Sequence, residues 1–147
     1  MNQYIGTKII EGEPCPAWKD AGGHKTGDPG YRVRYQDGYE SWSPKDVFEA
    51  AYLPVIVNPE LRTTAHSISQ QMVDDFIRDT EVITMGDKTT VVRAVLRNGF
   101  EIVESSACVS AENYDENMGA EICMERIKNK VWMLLGFLLQ TAVHGIK

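Results

Sequence analysis

Two stretches of the chain alternate between hydrophobic and polar residues, and each is followed by a segment with helical spacing. The first stretch, GYRVRYQDGYESW (residues 30–42), has the period of two that is typical of half-buried strands. Asp37-Gly38 favours a two-residue type I′ turn in its middle, because this dipeptide tolerates positive φ at both central positions. Such a turn pairs Val33 with Trp42. One face of the hairpin then carries Tyr31, Val33, Tyr35 and Trp42.

The segment SPKDVFEAAY (residues 43–52) predicts a short helix that covers this aromatic face. Its first two residues, serine and proline, suit the N-cap and the first helical position. We therefore predict a hairpin–helix module over residues 1–53, in which YIGTKII (residues 4–10) adds a third strand and the loop 11–30 is mobile. The aromatic residues are interpreted as the core of this module rather than as a surface that stacks a ligand.

Residues 54–68 contain two prolines and are predicted to link the first module to a second one, residues 69–147. Residues 69–79 predict a short amphipathic helix. The second alternating stretch, TTVVRAVLRNGFEIVESSACV (residues 89–109), contains the turn signal Asn98-Gly99. A two-residue turn there leaves one face as the core candidate, formed by Val92, Ala94, Leu96 and Val103.

The opposite face of this second hairpin is mixed, since it carries Arg93, Arg97 and Phe100. A guanidinium beside an aromatic ring is able to stack a base and pair with a phosphate. The same residues also fit an exposed cation–π contact and a cross-strand ion pair, each contributing roughly 0.2–1 kcal/mol. The residues alone leave both interpretations open.

A long helix is predicted for the rest of the chain, with Ser110 or Asn113 as its cap. One side of it carries Ala120, Cys123, Ile127, Val131, Leu134, Leu135 and Leu138. Further apolar residues lie off this stripe: Trp132, Met133, Phe137 and Leu139. A helix that is apolar on more than one side is usually buried on more than one side, and one hairpin cannot cover it. We therefore predict an α+β protein, with an antiparallel hairpin sheet packed on a long helix, that forms a homo-oligomer through this helix.

Composition and motifs narrow the classes of function. A net charge of −6 over 147 residues argues against binding duplex nucleic acid through phosphate contacts. The most apolar stretch, residues 131–139, is too short for a bilayer, which needs roughly 20 residues. Three widely spaced cysteines indicate neither a zinc site nor a disulfide framework and favour a reducing, cytoplasmic location. Because no phosphate loop, GxGxxG or GxSxG motif occurs, we expect no cofactor, no metal and no catalysis.

The segment LRNGFEIVESSACVSAENYDENMGAEICMERIKNKVWMLLGFLLQ (residues 96–140) resembles the C-terminal signature of a small tailed-phage accessory-protein family. That signature is a strand ending in NGF, then SACV, an N-F/Y-D turn, and a helix with NK-W and G-Y/F-LL. The segment GYRVRYQDGYESWSPKDVFEAAY (residues 30–52) resembles a second phage-borne module. The C-terminal module is also similar to the type-one Thoeris anti-defence proteins, which are phage proteins that sequester cyclic ADP-ribose-type signals or cyclic oligonucleotides.

This resemblance implies a small nucleotide ligand gripped between subunits. It assigns base stacking to Phe100, phosphate contacts to Arg93 and Arg126, and polar contacts to the residues near the helix start. The candidate ligand-binding residues are then Arg93, Arg97, Phe100, Ser110, Asn113 and Arg126. The implied function is sequestration of a nucleotide second messenger in the cytoplasm of the host cell, without catalysis. Two alternatives remain open, a phage protein that inhibits a host protein and an enzyme that degrades the nucleotide.

Overall fold

The computed structural model describes residues 1–147 and divides them into two compact units. The first unit comprises Met1–Pro54 together with Gln140–Lys147, and the second comprises Val55–Leu139. Each unit contains a three-stranded antiparallel sheet, so the predicted α+β class is confirmed. The elements are β1 (Glu11–Pro14), β2 (Gly30–Arg34), β3 (Glu40–Pro44), α1 (Lys45–Ala51), α2 (Gln70–Phe76), β4 (Ile77–Met85), β5 (Thr89–Leu96), β6 (Glu101–Ala107), a 3-10 turn (Ala111–Asn113) and α3 (Glu116–His144).

In the first unit, α1 covers one face of the sheet. Tyr31 stacks on Phe48 of α1 with ring centroids 4.0 Å apart, and its hydroxyl group donates to the Glu49 carboxylate at 2.8 Å. Val33 lies on the same face and is 1% exposed. Gly12 permits this close packing, because a Cβ there would lie 2.8 Å from the Phe48 ring. These contacts show that Tyr31 and Phe48 pack between the sheet and α1, as predicted for this part of the aromatic face.

Both hairpin turns differ from the predicted two-residue type I′ turn. That turn needs positive φ at Asp37 and Asn98, yet only glycines have positive φ in this chain. Gly38 and Gly99, with φ of 88° and 87°, instead close three-residue loops that end in a glycine bulge. In each turn the Asp or Asn Oδ1 accepts a hydrogen bond from the N–H two residues further on, which stabilises this conformation.

The longer loop shifts the register of the first hairpin by one residue and moves Trp42 to the other face. Val33 pairs with Ser41, and Trp42 pairs with Arg32. Since neighbouring residues on a strand point to opposite faces, the predicted placement of Trp42 beside Val33 is wrong. The Trp42 indole N–H donates to the carbonyl oxygen of Cys15 at 2.7 Å, so it anchors the end of β1.

The third strand of the first sheet and the following loop also differ from prediction. β1 lies at Glu11–Pro14, whereas residues 4–10 have no regular structure. Within the following loop, the Ala17 N–H donates to the Asp28 carbonyl oxygen at 2.9 Å and the Gly27 N–H donates to that of Ala17 at 2.8 Å. The loop is therefore closed by backbone hydrogen bonds, which its Gly and Pro content does not reveal.

In the second unit the same one-residue shift changes the core of the sheet. Ala94 pairs with Ile102, which is 6% exposed, while Val103 is 57% exposed. The prediction that Val103 belongs to the core is therefore wrong. Val92, Ala94 and Leu96 are buried as predicted.

One side of α3 lies on this sheet. Its buried residues are Gly119, Cys123, Ile127, Val131 and Leu135. The Cys123 thiol contacts the Thr90 carbonyl oxygen at 3.9 Å, and burial raises the pKa of this thiol. Further along, Lys130 forms an ion pair with Glu104 on β6. Cys123 thus acts as a small apolar residue at the helix–sheet contact.

The segment before α2 is fastened to the second unit. Ser69 caps α2, because its Oγ accepts the N–H of Met72 at 3.3 Å. The Ile56 N–H contacts Met72 Sδ at 3.3 Å, and the Asn58 side-chain amide donates to the Ile68 carbonyl oxygen at 3.2 Å. The helix predicted over residues 69–79 ends at Phe76, where β4 begins, a strand that the sequence pattern did not predict.

Candidate functional site

The β5–β6 turn presents Phe100 and Arg97 to solvent on a fixed backbone. Phe100 is 55% exposed, although its carbonyl oxygen accepts the Leu96 N–H at 2.8 Å. The Arg97 N–H donates to the Phe76 carbonyl oxygen at 2.9 Å, which ties the turn to the end of α2. An exposed ring and a guanidinium on a fixed turn are able to meet a base and a phosphate with little ordering of the backbone.

Arg93 lies on the outer face of the second sheet, the face opposite α3. Its guanidinium pairs with Glu81 on β4 at 3.7 Å and with Glu101 near the start of β6. The Arg93 side chain is 48% exposed, and ion pairs in contact with water are worth about 0–1 kcal/mol. Displacing either carboxylate from Arg93 would therefore cost an anionic ligand little free energy.

The outer face also carries exposed apolar residues. Ile83 is 43% exposed, Met85 is 59% exposed and Val103 is 57% exposed. The register of the sheet places all three on the side of Arg93. Exposed apolar groups gathered on one face are a feature of interaction surfaces.

Ser110 and Asn113 lie in the turn that follows β6. Ser110 Oγ accepts the N–H of Glu112 at 3.3 Å, and the Asn113 N–H donates to the Ser110 carbonyl oxygen at 3.1 Å. The side-chain amide of Asn113 makes no hydrogen bond within the chain. Asn113 is thus free to donate to or accept from a ligand, while the Ser110 hydroxyl already serves as a cap.

Arg126 projects from α3 to the edge of the sheet. Its Nη1 donates to the carbonyl oxygen of Ser105 on β6 at 2.9 Å. A guanidinium has five N–H donors, so this bond leaves most of them available. Within a single chain, Arg126 therefore binds a backbone carbonyl group of β6 that points away from the sheet.

The six predicted residues do not meet in one chain. Phe100 and Arg97 lie before β6, and Ser110 and Asn113 lie after it. The seven residues of β6 span roughly 23 Å at about 3.3 Å per residue. A small ligand that contacts both groups must therefore lie between two copies of the chain.

A chain of hydroxyl groups, which the sequence pattern does not reveal, connects the turn after β6 to the sheet. The Tyr114 hydroxyl lies 2.7 Å from Thr84 Oγ1 and 2.8 Å from Thr90 Oγ1, and Thr84 also bonds to Glu116. An ionised carboxylate only accepts, so Thr84 donates to Glu116, Tyr114 donates to Thr84 and Thr90 donates to Tyr114. The N-Y-D turn was the visible signal, but the partners lie 24 and 30 residues away.

In the second unit, the carboxylate of Asp74 on α2 forms an ion pair with Lys128 on α3, and the pKa of Asp74 is shifted. Burial opposes the ionisation of Asp74, but hydrogen bonds from Lys128 and Gln70 outweigh it and hold its pKa below the usual value. Lys128 Nζ lies 3.0 Å from Asp74 Oδ1.

No group of three or more His, Cys, Asp or Glu side chains is placed to hold a metal ion. None of the helices combines the length and the apolarity that crossing a membrane requires.

Residues 68–143 match the model of the Phage protein (N4 Gp49/phage Sf6 gene 66) family. The chain belongs to this family, and the prediction of a phage protein family is thereby confirmed. The matched segment includes all of α2, the second sheet and the six candidate residues. Among curated proteins and solved structures no match was found. The relation to the Thoeris anti-defence proteins stays a prediction.

Proposed function

We propose that this protein captures a nucleotide second messenger, of the cyclic ADP-ribose type or a cyclic oligonucleotide, and holds it without catalysis. The observation that carries the proposal is that Phe100 and Arg97 are both exposed on one turn held by backbone hydrogen bonds. Arg93 is exposed on the same hairpin, on the opposite face from Phe100. The similarity to the type-one Thoeris anti-defence proteins supports the choice of ligand class. Removing such a signal would protect phage replication in the host cytoplasm.

The ligand lies between subunits in this proposal. Ser110 and Asn113 are too far along β6 to contact a ligand that is stacked on Phe100 of the same chain, so a second copy supplies them. The outward side of α3 supports association, because Met118 is 61% exposed and Met133 is 66% exposed at positions that share a side of the helix. A homo-oligomer then builds each site from two chains.

Capture by such a site depends on affinity and stoichiometry. Stacking of a base on an aromatic side chain is worth about 1–3 kcal/mol. Arginine–phosphate contacts add charge-assisted hydrogen bonds, which are about twice as strong as neutral ones. Because the turn that carries Phe100 is already fixed by backbone bonds, little of this free energy is lost in ordering it.

Titration calorimetry with a panel of cyclic ADP-ribose isomers and cyclic oligonucleotides tests the proposal. Phe100→Ala should weaken binding about 5- to 150-fold, which corresponds to losing about 1–3 kcal/mol of stacking. Arg93→Ala should also weaken it, whereas Arg62→Ala, an exposed arginine in the loop before α2, should not. Unchanged affinity in both Phe100→Ala and Arg93→Ala would show that the site lies elsewhere.

The fate of the bound nucleotide separates the proposal from its two alternatives. After incubation and heat denaturation of the protein, a sequestering protein releases the nucleotide unchanged. An enzyme yields a new product under the same conditions. An inhibitor of a host protein leaves the nucleotide in solution throughout. Chromatography of the nucleotide before and after heating distinguishes the three.

Inhibition of a host protein is the second candidate, and the exposed apolar outer face favours it. Ile83, Met85 and Val103 could contact a partner without involving Phe100. Ile83→Lys should abolish such an interaction and leave nucleotide binding unchanged. If instead Phe100→Ala alone removes the biological effect, capture of the nucleotide is the function.

A further inference from the structure

The two sheets have four edge strands, and β4 is the longest of them. The outward N–H and C=O groups of an edge strand pair readily with another strand unless the edge is short, interrupted or covered. β1 has four residues and ends in Pro14, and β3 has five and ends in Pro44. On β6, Arg126 covers the carbonyl oxygen of Ser105 at 2.9 Å. β4 has nine residues and no proline.

The alternation of an antiparallel ladder identifies the free backbone groups of β4. Because the Leu96 N–H donates to the Phe100 carbonyl oxygen, the even-numbered residues of β5 bond to β6 and its odd-numbered residues bond to β4. Thr80, Val82 and Thr84 pair with even-numbered residues of β5, so their N–H and C=O groups point away from the sheet. No hydrogen bond within the chain reaches these groups.

We propose that β4 pairs antiparallel with β4 of a second copy about a two-fold axis at Val82. The outward groups of Thr80 then meet those of Thr84 in the second copy, and Val82 meets Val82. About six backbone hydrogen bonds form, because each hydrogen-bonded pair exchanges two. The result is a continuous sheet of six strands that runs through both copies.

The sequence of β4 favours a second copy of itself as the occupant. Its charged residues, Arg78, Asp79 and Glu81, lie in the first half, and the exposed Ile83 and Met85 lie in the second half. Antiparallel pairing about Val82 therefore places each charged half opposite the uncharged half of the other copy. A strand with this distribution is self-complementary, as a two-fold interface requires.

Charge also selects the register. With the axis at Val82, Glu81 faces Ile83 of the second copy and Asp79 faces Met85. An axis at Glu81 would set two glutamates directly opposite each other, and like charges in that position are destabilising. An axis at Thr80 would oppose Glu81 and Asp79 with the same effect. The pairing about Val82 avoids both arrangements. It also gives the outward backbone groups of Thr80, Val82 and Thr84 each a partner in the second copy.

This interface is separate from the nucleotide site and from the outward side of α3. It involves none of the six candidate ligand residues, so it holds whether or not the chain binds a nucleotide. If α3 also associates, each chain has two different contact surfaces, and removing one of them lowers the mass of the assembly without abolishing association.

Val82→Pro removes an outward N–H and no hydrogen bond of the chain's own sheet, which is where an edge strand tolerates proline. Val103→Pro is the matched control, since Val103 pairs with an odd-numbered residue of β5 and its N–H also points outward, but on β6. Light scattering over a range of concentrations should show the wild-type mass for Val103→Pro and half of it for Val82→Pro. A wild-type mass for Val82→Pro would overturn the proposal.

A cross-link tests the register without a proline. Two Cα atoms in a hydrogen-bonded pair lie about 5.5 Å apart, within the range that a disulfide spans. Under mild oxidation, Val82→Cys should therefore give a covalent dimer on a non-reducing gel, while Thr80→Cys and the wild type, with its own three cysteines, should not. Circular dichroism of the reduced variants verifies the fold. Absence of the Val82→Cys dimer, or equal cross-linking through Thr80→Cys, would refute pairing about Val82.

Discussion

Replacing Gly119 by alanine tests whether α3 lies in contact with β5. In an unhindered helix this exchange stabilises by about 1 kcal/mol, because glycine is a poor helix former. At Gly119, however, the new Cβ would lie 2.1 Å from Oγ1 and 2.7 Å from Cβ of Thr90. Thr90 has no exposed surface, and its hydroxyl is bonded to Tyr114 at 2.8 Å, so it cannot move aside without breaking that bond.

Gly136 is the matched control in the same helix, since a Cβ there would meet no atom within 4 Å. Gly136→Ala should therefore gain about 1 kcal/mol of unfolding free energy. Overpacking a buried contact costs about 1–3 kcal/mol. Gly119→Ala combines this cost with the same helical gain, so the two variants should differ by about 1–3 kcal/mol, with Gly119→Ala the less stable.

Equilibrium urea unfolding followed by helical circular dichroism measures this difference. In a chain of this size 1 kcal/mol corresponds to a change of about 2–4 °C in Tm, so a thermal scan gives an independent estimate. Thr90→Ala removes the nearest atom, Oγ1, and should reduce the cost of Gly119→Ala in a double-mutant cycle. Equal stabilisation by Gly119→Ala and Gly136→Ala would mean that α3 does not rest on Thr90, and the packing described for the second unit would be incorrect.

Two further exchanges test side-chain bonds. Tyr114→Phe leaves the buried Thr90 hydroxyl without its acceptor and should cost about 1–3 kcal/mol in urea unfolding. Tyr39→Phe, at a residue that is 66% exposed, should cost almost nothing, and equal costs would argue against the hydroxyl chain. Asp74 has a lowered pKa, so its stabilising effect is present above the unfolded-state value of about 3.9 and is lost as the pH falls through the folded-state pKa. Wild type should be more stable than Asp74→Asn at pH 6, and this difference should shrink as the pH falls below about 4; a difference independent of pH would exclude the ion pair with Lys128 as its cause.

The turns show why a correct local signal led to a wrong register. Asp37-Gly38 and Asn98-Gly99 mark both hairpins correctly, because each dipeptide supplies a glycine where positive φ is required. The same dipeptides fit a two-residue loop and a three-residue loop, which differ only in the conformation of Asp or Asn. One extra loop residue turns each side chain of the following strand to the opposite face of the sheet. Trp42 and Val103 therefore lie outside the cores in which the pattern placed them.

The candidate site was predictable as a set of residue types but not as an arrangement. Phe100, Arg93 and Arg97 lie near one another in sequence, but the register pairs Phe100 with Leu96 and so places it on the face opposite Arg93, where a shared face was predicted. Ser110 and Asn113 follow the same strand, yet its length carries them to the far end of the sheet. The ion pairs of Arg93 involve Glu81 on β4, a strand whose alternation is weak and which the pattern therefore did not reveal.

By itself, the sequence determined the α+β class, the two hairpins, the first-unit helix and the long terminal helix, because periodicity and turn chemistry act over a few neighbouring residues. The phage family likewise follows from the sequence of residues 68–143. Only the tertiary structure decided the registers, the fit of Gly119 against Thr90, the hydroxyl chain through Tyr114 and the open edge of β4. These features depend on residues far apart in the chain, whose contacts are set by packing rather than by any local pattern.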